Sequence, residues 1–80
     1  MLDSLKNRNK TIGVKQTLRA AEDGLAASVF IAADADPKVV SKLKEICETS
    51  KIEIIYAENM KVLGKACGID VGAAAAAVLK

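Results

Sequence analysis

Gly72–Lys80, GAAAAAVLK, admits two readings, and the choice between them decides the fold. By propensity it is a helix, because alanine is the best helix former. By context it is a strand. The segments before it alternate helix, strand, helix, strand, helix, an order that calls for crossover connections and a sheet with helices on both faces. That sheet lacks a further strand, and a closely packed central strand can be built from small residues beneath a covering helix. Ala74–Leu79 is therefore expected as a strand, against its propensity. The fold class that follows is α/β, a three-layer α-β-α sandwich with a small mixed four-stranded sheet.

The other elements are read outward from that strand. Asn59 caps a short helix, Met60–Cys67, which Gly68 ends. Ile52–Tyr56, IEIIY, is a strand. Asp36–Pro37 opens a helix that runs to Ser50, with an N-cap followed by proline at the first helical position. Its apolar stripe is Val39, Leu43 and Ile46, flanked by Val40 and Cys47. Ser28–Ala32, SVFIA, reads as a buried strand followed by the acidic turn Ala33–Asp36. A helix from Val14 ends near Glu22–Asp23, with Gly24 as the left-handed stop. Its inward stripe is expected to be Val14, Leu18 and Ala21. Lys10–Ile12 is expected as a short edge strand, and Asp3–Asn9 as a brief helix with Leu2 and Leu5 available to pack. No internal repeat or linker interrupts residues 1–80, which are expected to form a single domain.

Composition narrows the chemistry. Aliphatic side chains must make the core, since Phe30 and Tyr56 are the only aromatics; that scarcity argues against a base-stacking platform. The chain contains no histidine, which removes histidine acid–base catalysis and most zinc sites. Cys47 and Cys67 lack metal-site or redox spacing and are expected to be reduced thiols acting as small apolar fillers. Met1–Lys10 is polar and basic, unlike a signal peptide, and no apolar run reaches the ~20 residues that span a bilayer. A cytoplasmic protein with no cofactor or metal is expected. No segment predicts an oligomer, so a monomer is expected.

The net charge of +2 is unevenly distributed. Residues 1–19 balance to +4, residues 20–60 to −4 and residues 61–80 to +2. If the two ends of the chain meet, one pole of the fold is basic and suited to a polyanion. Within the first block, Thr11–Arg19, TIGVKQTLR, places Gly13 directly before a helix whose first amides are accessible. Lys15, Gln16 and Arg19 fall within about 100° of one another on its outer side. Two cations and an amide beside a helix N-terminus suit phosphate oxygens and base edges.

A second stretch, Ala57–Gly72, AENMKVLGKACGIDVG, combines LGKACG in a helix with the loop IDVG and a following small-residue strand. Taken with the glycine-led helix about forty residues earlier, it resembles the L7Ae/L30e-like family of ribosomal proteins. It is most similar to the small bacterial members that bind kink-turn RNA. The resemblance extends from about Lys10 to Leu79. The archaeal and eukaryotic pattern of Gly, any residue, Asn, Glu, two residues and Lys corresponds here to Gly13, Val14, Lys15, Gln16, Thr17, Leu18 and Arg19. Lys15 and Gln16 depart from Asn and Glu, as they do in bacterial members, and Arg19 keeps the charge of Lys. Ile69, Asp70, Val71 and Gly72 match the family's RNA-facing loop.

What the resemblance implies is an RNA-binding, ribosome-associated protein that stabilises kink-turn RNA, in ribosomal RNA or a riboswitch. Such RNA is a sharply bent duplex with tandem sheared G·A pairs and an extruded nucleotide. Lys15, Gln16 and Arg19 are expected at guanine edges or phosphates, and amides around Gly13 at backbone oxygens. Ile69 and Val71 are expected over the extruded base, while Lys61, Lys65 and Lys10 add general attraction. The alternative is a ribosome-structural or protein-interaction module of the same fold, docking through its acidic middle or its lysine-rich helix after Pro37. An enzyme has little support. Asp34 and Asp36 follow a strand, where α/β active sites often lie, but read as turn and capping residues.

Overall fold

The alanine run is a strand, and an inner one. In the computed structural model, which describes residues 9–80, the chain runs β1 (Lys10–Ile12), α1 (Val14–Glu22), β2 (Ala26–Ala32), α2 (Pro37–Ser50), β3 (Glu53–Ala57), α3 (Met60–Ala66) and β4 (Ala75–Leu79). The expected helix over Asp3–Asn9 lies, but for Asn9, outside the described residues. The four strands form one sheet in the order β1-β4-β2-β3. β4 is antiparallel to both of its neighbours, and β2 is parallel to β3. Helices α1 and α2 pack together on one face and α3 on the other, giving the three-layer α/β sandwich.

Physical reasons explain why alanine is extended here. Ala75, Ala76 and Ala77 are fully buried, covered above and below and hydrogen-bonded along both edges. Helix propensities among ordinary residues differ by only a few tenths of a kcal/mol, far less than two ladders and two covered faces supply. Register then matches size to size. Phe30 lies opposite Ala76, while Val29 and Ile31 lie opposite Ala77 and Ala75. Large side chains come from β2 and small ones from β4.

The α1 helix meets this sheet through a face made of small residues. Thr17, Ala20 and Ala21 are its buried positions, whereas Val14 and Leu18 are only half-buried. The expected stripe of Val14, Leu18 and Ala21 is thus corrected by a rotation toward Thr17. Thr17 is tolerated there because its hydroxyl shares a 3.0 Å hydrogen bond with that of Thr11 on β1. That bond also fixes Thr11, and with it Ala77, on the α1 side of the sheet.

The α2 helix needs a similar adjustment. Asp36 accepts a 2.9 Å hydrogen bond from the Lys38 amide with Pro37 behind it, as the sequence predicts. Its buried stripe is Val40, Leu43 and Cys47, while Val39 is 47% exposed and Ile46 half-buried. The stripe was expected one position off. At its far end Lys51 takes a left-handed φ of 58°, and the Ile52 amide closes the helix on the Cys47 carbonyl at 2.8 Å. That closure is why β3 begins at Glu53 and not at Ile52. The other bounds differ by small steps: β2 begins at Ala26, two residues before the expected start, and α3 and β4 are each one residue shorter than expected.

Cys47 and Cys67 are free and buried, and burial raises both thiol pKa values from 9.0, with Lys10 offsetting part of the rise at Cys67. Native protein at pH 8 should resist iodoacetamide at both positions and react fully once denatured. A raised folded pKa gives stability that is complete below the unfolded thiol value and lost as pH rises through the folded one. Urea midpoints should therefore fall between pH 8 and pH 10.5, and by less in Cys47→Ala. Thr17→Val keeps the shape but leaves the Thr11 hydroxyl without its partner; urea denaturation should register a loss of about 1 kcal/mol.

Candidate nucleic-acid interface

All three helices begin at the same end of the sheet. β1 is antiparallel to β4 and β4 to β2, so β1, β2 and β3 point one way, each followed by its helix. β4 starts at that end too, which brings the loop of residues 67–74 beside the three helix openings. Three positive dipole ends therefore face the same region.

The three openings are not equivalent. The start of α2 is occupied by the Asp36 carboxylate. At α3 the Asn59 side chain accepts from the Val62 amide at 2.8 Å, and the Asp34 carboxylate, from the turn after β2, accepts from the Met60 amide at 2.8 Å. At α1 the N-cap is Gly13, which has no side chain to offer, and the first turn contains no acid. The amides of Val14, Lys15 and Gln16 lack intrahelical acceptors there. Gly13 itself differs from expectation, because its amide donates to the Ala75 carbonyl at 2.8 Å and is engaged in the fold. Its φ of 98° and ψ of 155° belong to glycine alone, so this junction between β1 and α1 depends on the absence of a Cβ.

Lys15, Gln16 and Arg19 are all exposed on α1, on the side away from Thr17 and Ala21. Gln16 and Arg19 line a shallow groove of about 250 Å³ with Thr11, Asp23, Leu25 and Leu79. Val14, proposed from sequence as part of the same surface, is half-buried and packs against the core.

A second cluster forms on α3 and the loop that follows it. Lys61 and Lys65 of α3 and Ile69, Asp70 and Val71 of the loop enclose a hollow of about 130 Å³. Ile69 packs partly on the core, whereas Val71 is 70% exposed, an unusual position for a valine. The loop beneath it is pinned. The Ile69 amide donates to the Gly64 carbonyl at 3.1 Å and the Ala73 amide to the Met60 carbonyl at 3.0 Å. Gly72 is exposed and lies against Met60.

The sequence-derived positions thus fall in two groups, Lys15, Gln16 and Arg19 on α1 and Lys61, Lys65 and Ile69–Gly72 on α3 and its loop, with Gly13 bonded to the first residue of β4. Val14 is turned partly inward, and Lys10 stands apart. Thr11 points toward α1, so Lys10 points to the α3 face, near enough to Cys67 for its charge to act on that thiol. Asp34 is a capping residue, as read from the sequence, but it caps α3 at Met60, a partner 26 residues away that the sequence does not indicate. Sequence reading passed over Gly64, although a lone glycine inside a helix is a signal of close packing.

Among the described residues no group of three or more His, Cys, Asp or Glu side chains is placed to hold a metal ion. No helix there is long and apolar enough to cross a membrane.

Comparison with known proteins places these features in a family. Residues 2–80 match the model of the ribosomal protein L7Ae/L30e/S12e/Gadd45 family. The chain is 53% identical over 68 residues to an RNA-binding protein of Caldanaerobacter subterraneus, covering 85% of this chain and 83% of that one. It is 54% identical over 69 residues to an RNA-binding protein of Halalkalibacterium halodurans, covering 86% and 84%. Among solved structures, the 15.5 kD RNA-binding protein of Giardia lamblia is similar with a TM-score of 0.85 and 31% identity over 99% of this chain. This chain spans 65% of the length of that protein. Each of these three is named an RNA-binding protein. The glycine-led helix, the loop before β4 and the whole sheet all lie inside the matched span, and the chain is a member of the ribosomal protein L7Ae/L30e/S12e/Gadd45 family.

Proposed function

We propose that this protein binds RNA and recognises kink-turn elements, holding them in their bent form. The observation that carries the reading is the open start of α1. Among the described residues it is the one helix opening of the three that no side chain caps, with Lys15, Gln16 and Arg19 exposed on the same helix, and its Gly13 amide is bonded to Ala75, the residue into which the loop carrying the exposed Val71 leads. The names of the relatives, RNA-binding proteins at 53% and 54% identity, support the same chemistry.

Each group has a role in this reading. The amides of Val14, Lys15 and Gln16, held in place by Gly13, receive backbone phosphate oxygens. Lys15, Gln16 and Arg19 reach guanine O6 and N7 or adjacent phosphates, which sheared G·A pairs in a bent duplex make accessible. Gln16 both donates and accepts, so it can satisfy either edge of such a pair. Ile69 and Val71 cover the extruded base, with Asp70 and Gly72 shaping the loop that presents them. Lys61, Lys65 and, from the α3 face, Lys10 add attraction that does not depend on sequence. The protein then acts on an existing equilibrium, stabilising the bent RNA conformer over the extended one. Ribosomal RNA or a riboswitch would supply such an element, bound by a monomer in the cytoplasm.

Replacing Lys15 and Arg19 together with Ala should weaken binding to a kink-turn duplex by at least about 30-fold at moderate salt, from contacts of about 1–3 kcal/mol each. The slope of log affinity against log salt should fall by about 2 at the same time. Unchanged affinity would remove α1 from the interface. Val71→Ala should leave binding to plain duplex RNA as it is and reduce preference for the kinked form by about 5-fold, as expected for loss of a small apolar contact. Electrophoretic mobility shifts with matched kinked and unkinked duplexes measure both.

A further inference from the structure

The loop between α3 and β4 lies directly on the backbone of α3, and Gly64 is the residue that lets it do so. A Cβ added at Gly64 would run into the Val71 carbonyl oxygen and stand 3.0 Å from the Val71 carbonyl carbon and 3.1 Å from the Cα of Gly72. A Cβ added at Gly72 would be less obstructed, 3.1 Å from the Met60 Cβ and 3.3 Å from its carbonyl carbon. Met60 and Gly64 are four residues apart, so they form one stripe along α3. The loop follows that stripe and is bonded to it at both ends, through Ile69 to Gly64 and Ala73 to Met60. Neither Gly64 nor Gly72 has a positive φ, so both are needed for space and not for backbone conformation. In a helix interior alanine is the better residue, and a buried glycine in the middle of seven-residue α3 is accounted for by this approach of two backbones.

We infer that Gly64 is a positioning residue for the binding face: through the Val71 backbone it sets the height and aim of the Val71 side chain relative to the opening of α1. That Val71 then meets an extruded nucleobase rests on the reading given under Proposed function. Gly64 touches no RNA in this scheme. It acts by giving the apolar tip a fixed position, so that no ordering of the loop is required when the base arrives.

The test uses Gly64→Ala and Gly72→Ala in the full chain, with one measurement on free protein and one with RNA. Amide hydrogen exchange in free Gly64→Ala should show Ile69 and Ala73 losing protection while Val29, Phe30 and Ala76 in the central strands keep theirs. Its thermal midpoint should not rise, although helix propensity alone would raise it. With RNA, Gly64→Ala should lose about tenfold in preference for a kink-turn duplex over an unkinked one, with binding to the unkinked duplex and its salt dependence retained. A merely structural defect would lower both. Gly72→Ala, whose added Cβ meets a milder obstruction, should fall between Gly64→Ala and wild type in both measurements. This graded response keeps the inference open to test if Gly64→Ala folds poorly. Full protection of Ile69 and Ala73 in Gly64→Ala, with unchanged preference, would overturn the inference. Wild-type protein that shows no preference for kinked RNA would instead remove the functional reading, and Gly64 as the seat of the loop would then stand or fall on the exchange data alone.

Discussion

The double burial of an alanine strand sets the spacing of the molecule. Ala75, Ala76 and Ala77 have no solvent exposure, and the strand they form is paired on both edges. Their small side chains allow α1 to rest its own small face, Thr17, Ala20 and Ala21, on one side of the sheet. On the other side the volume that β4 leaves is filled by Phe30 from β2 and by Leu63 of α3, both fully buried. A domain of this size has few side chains with which to build a core, so close approach of backbones substitutes for bulk. The same principle is repeated at α3, where Gly64 admits the loop backbone.

That construction couples the fold to the candidate site with no intervening element. Gly13 donates to the first residue of β4, so the opening of α1 is fixed to the strand on which the loop of residues 67–74 ends. Two acidic side chains at this end, Asp34 and Asp36, each accept from a helix amide. Their charges are thereby directed at the starts of α2 and α3, and among the described residues the start of α1 carries no carboxylate. The acidic middle block read from sequence is therefore not segregated to the far pole. Part of it lies at the end where the helices open, where Asp34 and Asp36 have a structural task.

Most of the fold was legible in the sequence because its signals are local. Asp36–Pro37, Asn59, Gly24 and Gly68 mark helix ends by chemistry that does not depend on the rest of the chain. The strand character of β4 was legible only from the requirement for a complete sheet, since its own propensity points the other way. What escaped reading is what tertiary contacts decide. Thr17 is polar and yet the most buried residue of α1, because Thr11 on another element satisfies it. Val39 and Val40 are equivalent in composition, and only the tilt of α2 on the sheet buries one and exposes the other. Of the site, the exposed cations of α1 and the Ile69–Gly72 loop follow from spacing and resemblance. The support from Asp34, Met60 and Gly64 does not, because it joins backbones that are distant in sequence.

The strand order also constrains how the chain can assemble during synthesis. β1 and β2 are not neighbours; each pairs with β4, which is the last strand in the sequence. Until Ala75–Leu79 has left the ribosome, the first strand has no ladder partner, α1 has no floor beneath Thr17 and Gly13 has no acceptor for its amide. The sheet is therefore completed by insertion from the C-terminal side, a non-local step that delays cooperative folding until translation of the domain is over.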